Sequence, residues 1–245
     1  MLKASVASVA SLAGATVLGM PLDMKRTPKN SKRGKVLVVG AHPDDPETGC
    51  GGTMILFKDA GYEVVSMYLT RGEAGIQGKT HDEAAAIRVK EAENACKLTG
   101  ARPVFLSQID GATEITRDRY DEMLEAIRKE NPDIVLTHWP IDGHRDHRIC
   151  SLLVFDAWRR MGASFDLYYF EVMTGTQSKI FHPTDYVDIS SVAARKRAAC
   201  DCHVSQGIDE LYEGWHGPME RFRGMECGVE AAEAFVKLAK GESIK

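Results

Sequence analysis

Residues 35–52 read KVLVVGAHPDDPETGCGG, and the rest of the chain is laid out around this stretch. Val36 to Val39 are apolar and mostly β-branched and sit between Gly34 and Gly40, the pattern of a strand buried on both faces of a parallel sheet. His42, Pro43, Asp44 and Asp45 follow directly, then Glu47 and a glycine-rich passage into the helical pattern Thr53 to Ala60. The polar cluster therefore falls where a strand gives way to a helix, the edge at which open α/β sheets bind ligands. One imidazole and two carboxylates within four residues are costly to gather there unless a cation holds them together, and a divalent metal is the simplest such cation. A plain turn is the competing reading: Pro43 fixes φ, and the aspartates accept backbone N–H bonds at a helix start.

A second cluster changes that balance. After the apolar run Asp133 to Thr137 (DIVLT) the chain reads His138, Trp139, Pro140, Ile141, Asp142, Gly143, His144, Arg145, Asp146, His147. Two clusters that each follow a buried β-type run are expected on the same edge of a parallel sheet, where they can meet. One His and one Asp from the first loop with one His from the second complete the three-ligand set of a catalytic zinc site, which keeps one position open. Asp146, beside that histidine, is placed to orient its neighbours.

The motifs AHPDDxE, TRGEAG (Thr70 to Gly75) and GHxDH (Gly143 to His147), in this order and spacing, resemble the LmbE/PIG-L family of zinc-dependent N-deacetylases. HVSQ (His203 to Gln206) and AEAF (Ala232 to Phe235) extend the likeness toward the C-terminus. The resemblance implies a Rossmann-like domain, one Zn2+ per chain, and hydrolysis of an N-acetyl group on a glucosamine-type amino sugar. It assigns His42, Asp45 and His147 to the metal, Asp44 as general base and His144 as oxyanion stabiliser or acid, with Asp146 orienting His144. It also marks Arg71 as a substrate contact; Asp110, in a QIDG segment after the strand pattern Val104 to Leu106, is expected at the same ligand edge. Glu47 reads as a supporting or helix-start acceptor, and His203 as near the site or structural.

The remaining pattern alternates: strand Val64 to Leu69, helix Asp82 to Leu98, strand Val104 to Leu106, helix Arg117 to Asn131, strand Asp133 to Thr137, helix Asp146 to Met161. This predicts an α/β fold, Rossmann-like, with a mostly parallel sheet and helices on both faces. Beyond Met161, Leu167 to Met173 and Tyr186 to Ile189 read as strands and Val192 to Cys202 and Val229 to Ala239 as helices. Gly207 to Gly228, with Trp215, His216 and Phe222, reads as a loop that could rim a substrate site.

Of the 245 residues, 1–34 read as an export signal with a basic linker and 35–245 as one domain. Lys3 followed by the small, apolar residues Ala4 to Gly19 is too short for a stable membrane span, so the expectation is export, or a cytoplasmic location if this segment is not a signal. A net charge of -4 with no Lys/Arg stripe argues against nucleic acid and for a small-molecule partner; a homo-oligomer stays open. Six scattered cysteines in a chain of this size read mostly as buried small hydrophobes. The first turn has His-Pro-Asp-Asp where a dinucleotide fingerprint needs glycines. The rivals to deacetylation are a metal-dependent amidase for another N-acyl group and a sugar- or nucleotide-binding module without turnover. Iron or cobalt suits the same ligands as zinc.

Overall fold

A computed structural model describes residues 33–239 of the chain. The expected export segment and most of its linker lie outside the described residues. Strand and helix alternate as the hydrophobic runs predict: Lys35–Gly40 (β1), Asp45–Asp59 (α1), Glu63–Thr70 (β2), His81–Thr99 (α2), Arg102–Gln108 (β3), Arg117–Glu130 (α3), Ile134–His138 (β4), Arg145–Arg160 (α4) and Asp166–Phe170 (β5). Then come Asp185–Asp188 (β6), Ala193–Cys200 (α5), Ile208–Leu211 (α6), a π-helical turn Tyr212–His216, Gly217–Cys227 (α7) and Ala232–Lys237 (β7). The seven strands form one sheet in the order β3-β2-β1-β4-β5-β7-β6. β1 to β5 run parallel, and β7 is antiparallel to both its neighbours.

The two-residue period of β1 divides the core. Val36 and Val38 join Cys50, Met54, Ile55 and Phe57 of α1 on one face; Leu37 and Val39 join Met123, Leu124 and Ile127 of α3 and Leu153 and Val154 of α4 on the other. Both faces are covered, so the strand is apolar throughout. The chain moves outward from β1 to β2 and β3, then returns to lay β4 on the other side of β1. The crevice between the C-terminal ends of β1 and β4 is therefore the switch point of the sheet, and both polar motifs open onto it. Among the described residues no helix is long and apolar enough to cross a membrane.

Three stretches differ from expectation. Helix α1 begins at Asp45 and includes the glycine-rich passage, which was expected to precede the helix. The glycines serve close approach: a Cβ on Gly49 would stand 2.6 Å from the Phe170 ring, and one on Gly52 2.5 Å from Ile189. Ala232–Lys237 is a strand, although its Ala, Glu and Lys suit a helix. It is held between β5 and β6, and its Glu233 carboxylate accepts bonds from the Gly52 and Thr53 amides of α1, both at 2.8 Å. The expected loop 207–228 is largely helical.

Lys196 of α5 lies wholly buried, with its ammonium 2.7 Å from Glu233 and 2.8 Å from Glu220. Burial opposes the charge, but the two carboxylates outweigh it and hold the lysine well above its ordinary value. This trio joins α1, α5, α7 and β7. Removing the cation alone leaves two buried, unpaired carboxylates, so Lys196→Met is expected to cost about 3–5 kcal/mol in urea unfolding; a loss under about 1 kcal/mol would show that the trio is not needed.

Candidate metal centre and active site

The loop after β1 is wound tightly. Asp45 closes it by accepting the His42 amide at 2.7 Å, and the Thr48 amide bonds the Asp44 carbonyl at 2.9 Å. This forces Asp44 to φ 123°, a backbone region that residues with a side chain rarely occupy. Strain of that kind is retained where the surroundings over-determine it, and here both flanking side chains are fixed.

His42, Asp45 and His147 converge. His42 Nδ1 lies 3.3 Å from His147 Nε2 and 3.3 Å from Asp45 Oδ2, and His147 Nε2 lies 3.3 Å from Asp45 Oδ1. Ligand bonds of about 2.0–2.1 Å in a tetrahedral set separate neighbouring donors by roughly 3.3–3.4 Å, so this spacing fits one metal ion. Three further groupings exist among the described residues: His42–His144–His147, which shares two of these rings, Asp45–His138–His147 and His42–Asp110–Asp146. The last two are less free to ligate. His138 Nε2 accepts the Ala41 amide at 3.1 Å, and His42 Nε2 is occupied by Asp146 and Asp110, each at 3.2 Å.

Those occupied atoms orient the converging donors. The Asp146 and Asp110 carboxylates accept hydrogen bonds from Nε2–H of His42 and leave its Nδ1 facing Asp45 and His147. Asp142 does the same for His147, with Oδ1 at 3.2 Å from Nδ1, while also accepting the His144 amide at 2.7 Å and bonds from Gln177 and Ser178. Carboxylates behind ligating imidazoles set tautomer and direction. Burial disfavours the proton on each ring, yet these acids and Asp45 raise His147 to about 9 and hold His42 well above its ordinary value. Asp45 is pulled the other way: burial pushes it up, and the charge on His147 beside it brings it well below the carboxylate range. His138, the buried last residue of β4, stacks on His147 with centroids 4.0 Å apart.

Above this centre opens a cavity of about 460 Å³. Asp44 faces it, its carboxyl raised by burial against the opposing charge of Arg88. His144 lines it too, and its Nδ1 accepts the Asp146 amide at 3.2 Å, which leaves the proton on Nε2. Burial and the neighbouring His42 and His147 lower its basicity.

Two expectations need correcting. The Asp146 carboxylate meets His42, the Gly111 amide at 2.8 Å and the Thr113 hydroxyl at 2.6 Å; only its backbone amide reaches His144. Arg71 is half-exposed, pairs with Glu73 at 3.1 Å and does not line the cavity. The arginine that does is Arg88 of α2, buried, 2.6 Å from the Pro43 carbonyl, 3.1 Å from Asp44 and 3.6 Å from Asp110. The glycines of TRGEAG make way for it, since a Cβ on Gly72 would stand 2.5 Å from the Arg88 side chain. Glu47 supports from behind: it accepts the Tyr68 hydroxyl at 2.7 Å and lies 3.3 Å from buried His203. Cys50 is a free, buried thiol, as are Cys96, Cys150 and Cys200.

The sequence profile described as PIG-L, GlcNAc-PI de-N-acetylase, matches residues 37–158. Diacetylchitobiose deacetylase of Thermococcus kodakarensis is 32% identical over 197 residues, 74% of this chain and 73% of that protein. The structure of N,N'-diacetylchitobiose deacetylase from Pyrococcus horikoshii, complexed with its inhibitor MPG, superposes with a TM-score of 0.74 at 27% identity over 83% of each chain. GalB, the 4-carboxy-2-hydroxymuconate hydratase of Pseudomonas putida, shares the fold with a TM-score of 0.76 at 23% identity, over 86% of this chain and 99% of that one.

Asp142 offers a direct test of this support. Burial opposes its charge, but His147, the His144 amide and Gln177 bring its pKa down to about 2. A depressed carboxylate stabilises the fold above its unfolded value and loses that contribution as pH falls through the folded one. In metal-free protein, Asp142→Asn is therefore expected to be less stable than wild type near pH 6, with the gap closing between about pH 4 and about pH 2. Urea unfolding at each pH measures it; a gap that stays constant would mean the charge of Asp142 contributes nothing.

Proposed function

We propose that this chain, which belongs to the PIG-L (GlcNAc-PI de-N-acetylase) family, is a zinc-dependent deacetylase that hydrolyses the N-acetyl group of an N-acetylglucosamine-type sugar or its conjugate. The observation that carries this reading is the convergence of His42 Nδ1, Asp45 and His147 Nε2 to 3.3 Å from one another at the floor of a cavity that Asp44 and His144 also line. Two imidazoles and a carboxylate make a common catalytic zinc set, and His42, Asp45 and His147 would hold the ion. When bound, a zinc ion supplies Lewis acidity to an amide carbonyl and to a water molecule.

The chain's own groups supply the proton transfers. Asp44, made more basic by burial, takes a proton from the attacking water as the C–O bond forms. The departing nitrogen must gain a proton before the C–N bond breaks, because an amide anion is a very poor leaving group. Asp44, protonated by that transfer and lining the same cavity, returns the proton to the nitrogen, while the neutral His144 donates a hydrogen bond from Nε2–H to the developing oxyanion. Arg88 and Asp110 stand at the side of the cavity, an ion and a carboxylate suited to sugar hydroxyls. The relatives named for diacetylchitobiose support an acetylated amino sugar as the substrate class.

Acetate release from N-acetylated amino sugars by purified protein should fall on chelation and return when zinc is restored, with one zinc per chain by elemental analysis. Silence across such a panel with zinc bound would refute the deacetylase reading and favour another N-acyl group or chemistry of the hydratase kind found on this fold. Asp44→Asn is expected to keep its zinc and lose about 10²- to 10⁴-fold in kcat. Near-normal turnover with zinc in place would remove Asp44 from the role of base.

A further inference from the structure

The cavity has a charged inner wall, with Asp44, Arg88 and His144, and an apolar outer wall, with Val172, Leu211 and Trp215. Val172 opens a segment, 172–178, that lies outside every strand and helix of the described residues and is laid along the second polar motif. Ser178 pairs with Asp142 in an isolated antiparallel bridge. The Gly143 amide bonds the Gln177 carbonyl at 3.0 Å, the Lys179 amide bonds the Ile141 carbonyl at 2.8 Å, and the Trp139 indole N–H bonds the Lys179 carbonyl at 2.9 Å. These bonds fix the register of the segment against the loop that carries His144 and His147.

That register delivers two side chains to one carboxylate. The Asp142 side chain is 1% exposed, so the protein itself must satisfy its oxygens. Two donors come from its own loop, the His144 amide at 2.7 Å and His147 Nδ1 at 3.2 Å. The other two come from the segment, Gln177 Nε2 and Ser178 Oγ, each at 3.1 Å. The first three meet Oδ1, whereas Ser178 meets Oδ2. The Ser178 hydroxyl cannot turn away, because Oγ accepts the Val172 amide at 2.9 Å and its proton is left to point at Asp142. Gln177 Nε2 also stands 3.1 Å from His147 Nδ1, the closeness of two donors that share one acceptor oxygen.

A carboxylate held at one oxygen can rotate about its Cβ–Cγ bond; one held at both cannot. Residues 177 and 178 therefore set the plane of Asp142. Through Nδ1 that plane sets the direction of the His147 ring, whose Nε2 lies 3.3 Å from both His42 Nδ1 and Asp45 Oδ1. Neither Gln177 nor Ser178 belongs to the motifs that supply the converging donors.

Resting on the metal assignment of the reading above, we propose that Gln177 and Ser178 are positioning residues for the ion: by fixing both oxygens of Asp142 they keep His147 aimed into the centre. Zinc affinity is measured by competition with a chromophoric chelator for the full chain as wild type, Ser178→Ala, Gln177→Met and, as a control on an exposed neighbour, Thr176→Ala. The Kd is expected to rise about 10-fold in Ser178→Ala and in Gln177→Met and to stay within about twofold of wild type in Thr176→Ala. The visible absorption of the cobalt-substituted protein is expected to shift in Ser178→Ala, since turning one imidazole alters the ligand field and lost stability alone does not. The effect runs through Asp142, so in an Asp142→Asn background Ser178→Ala is expected to add less than about threefold. An unchanged Kd in either segment variant, unmoved cobalt bands, an equal loss in Thr176→Ala, or the full loss repeated in the Asp142→Asn background overturns the proposal, while zinc binding by wild type leaves the metal centre standing. No measurable zinc binding by wild type overturns both. Acetate release enters none of these measurements, so failure of the deacetylase chemistry is told apart from failure of the positioning role.

Discussion

The molecule is organised by a repulsion that only a cation relieves. Asp44, Asp45, Asp110, Asp142 and Asp146 all lie within the crevice between β1 and β4 or at its rim, and the four beyond Asp44 are buried. Against them stand Arg88 and three imidazoles close to one another, His42, His144 and His147. Without a metal, the balance is met by protons held on His42 and His147 above their ordinary affinity. Metal binding must displace such protons, so the carboxylates that raise these histidines serve ion binding twice: they orient the rings and add negative charge around the ion.

The fold's less expected features follow from presenting those groups on rigid elements. Asp45 begins α1, so the position of α1 determines the position of the centre. That helix is pressed onto β5 and the β6 end by glycines where side chains would collide, and Glu233 ties it to β7 by two amide bonds. Lys196 then fastens Glu233 to Glu220 and so to the π-helical turn at the cavity mouth. A buried ion trio is a weak source of net stability. Its use here is connection, since it links the floor of the cavity to its outer wall.

What could be read from residues alone was what is local. β1 to β5, the order of helices, and the meeting of the two polar motifs follow from apolar runs and chain order, and the converging donors His42, Asp45 and His147 all stand in those motifs. The misreadings concern partners chosen by packing. Arg71 adjoins a recognisable loop, whereas Arg88 sits in an alanine-rich helix and looks solvent-facing until α2 docks. The one available signal was the spacing of glycines in TRGEAG, a loop made thin enough to pass over a large side chain. Asp142 was visible inside its motif without a role, because its partner is a ring five residues on that turns back only once α4 has formed. Ala232–Lys237 has helical composition, but the free edges of β5 and β6 decide its conformation.

The same contrast separates reaction from specificity. Every group of the inner wall is held by at least one charged or backbone partner, and a change at one disturbs several others, because Asp146 alone serves His42, Gly111 and Thr113. The outer wall is different in kind. Val172, Leu211 and Trp215 meet the cavity through apolar surface, and helices α6 and α7 with the turn between them lie outside the parallel core. Apolar contacts tolerate exchange of shape at modest cost, whereas breaking a buried ionic network does not. One inner wall can therefore be kept while the apolar wall is changed, and differences in what the cavity accepts are to be sought between 207 and 217 rather than at His42, Asp45 and His147.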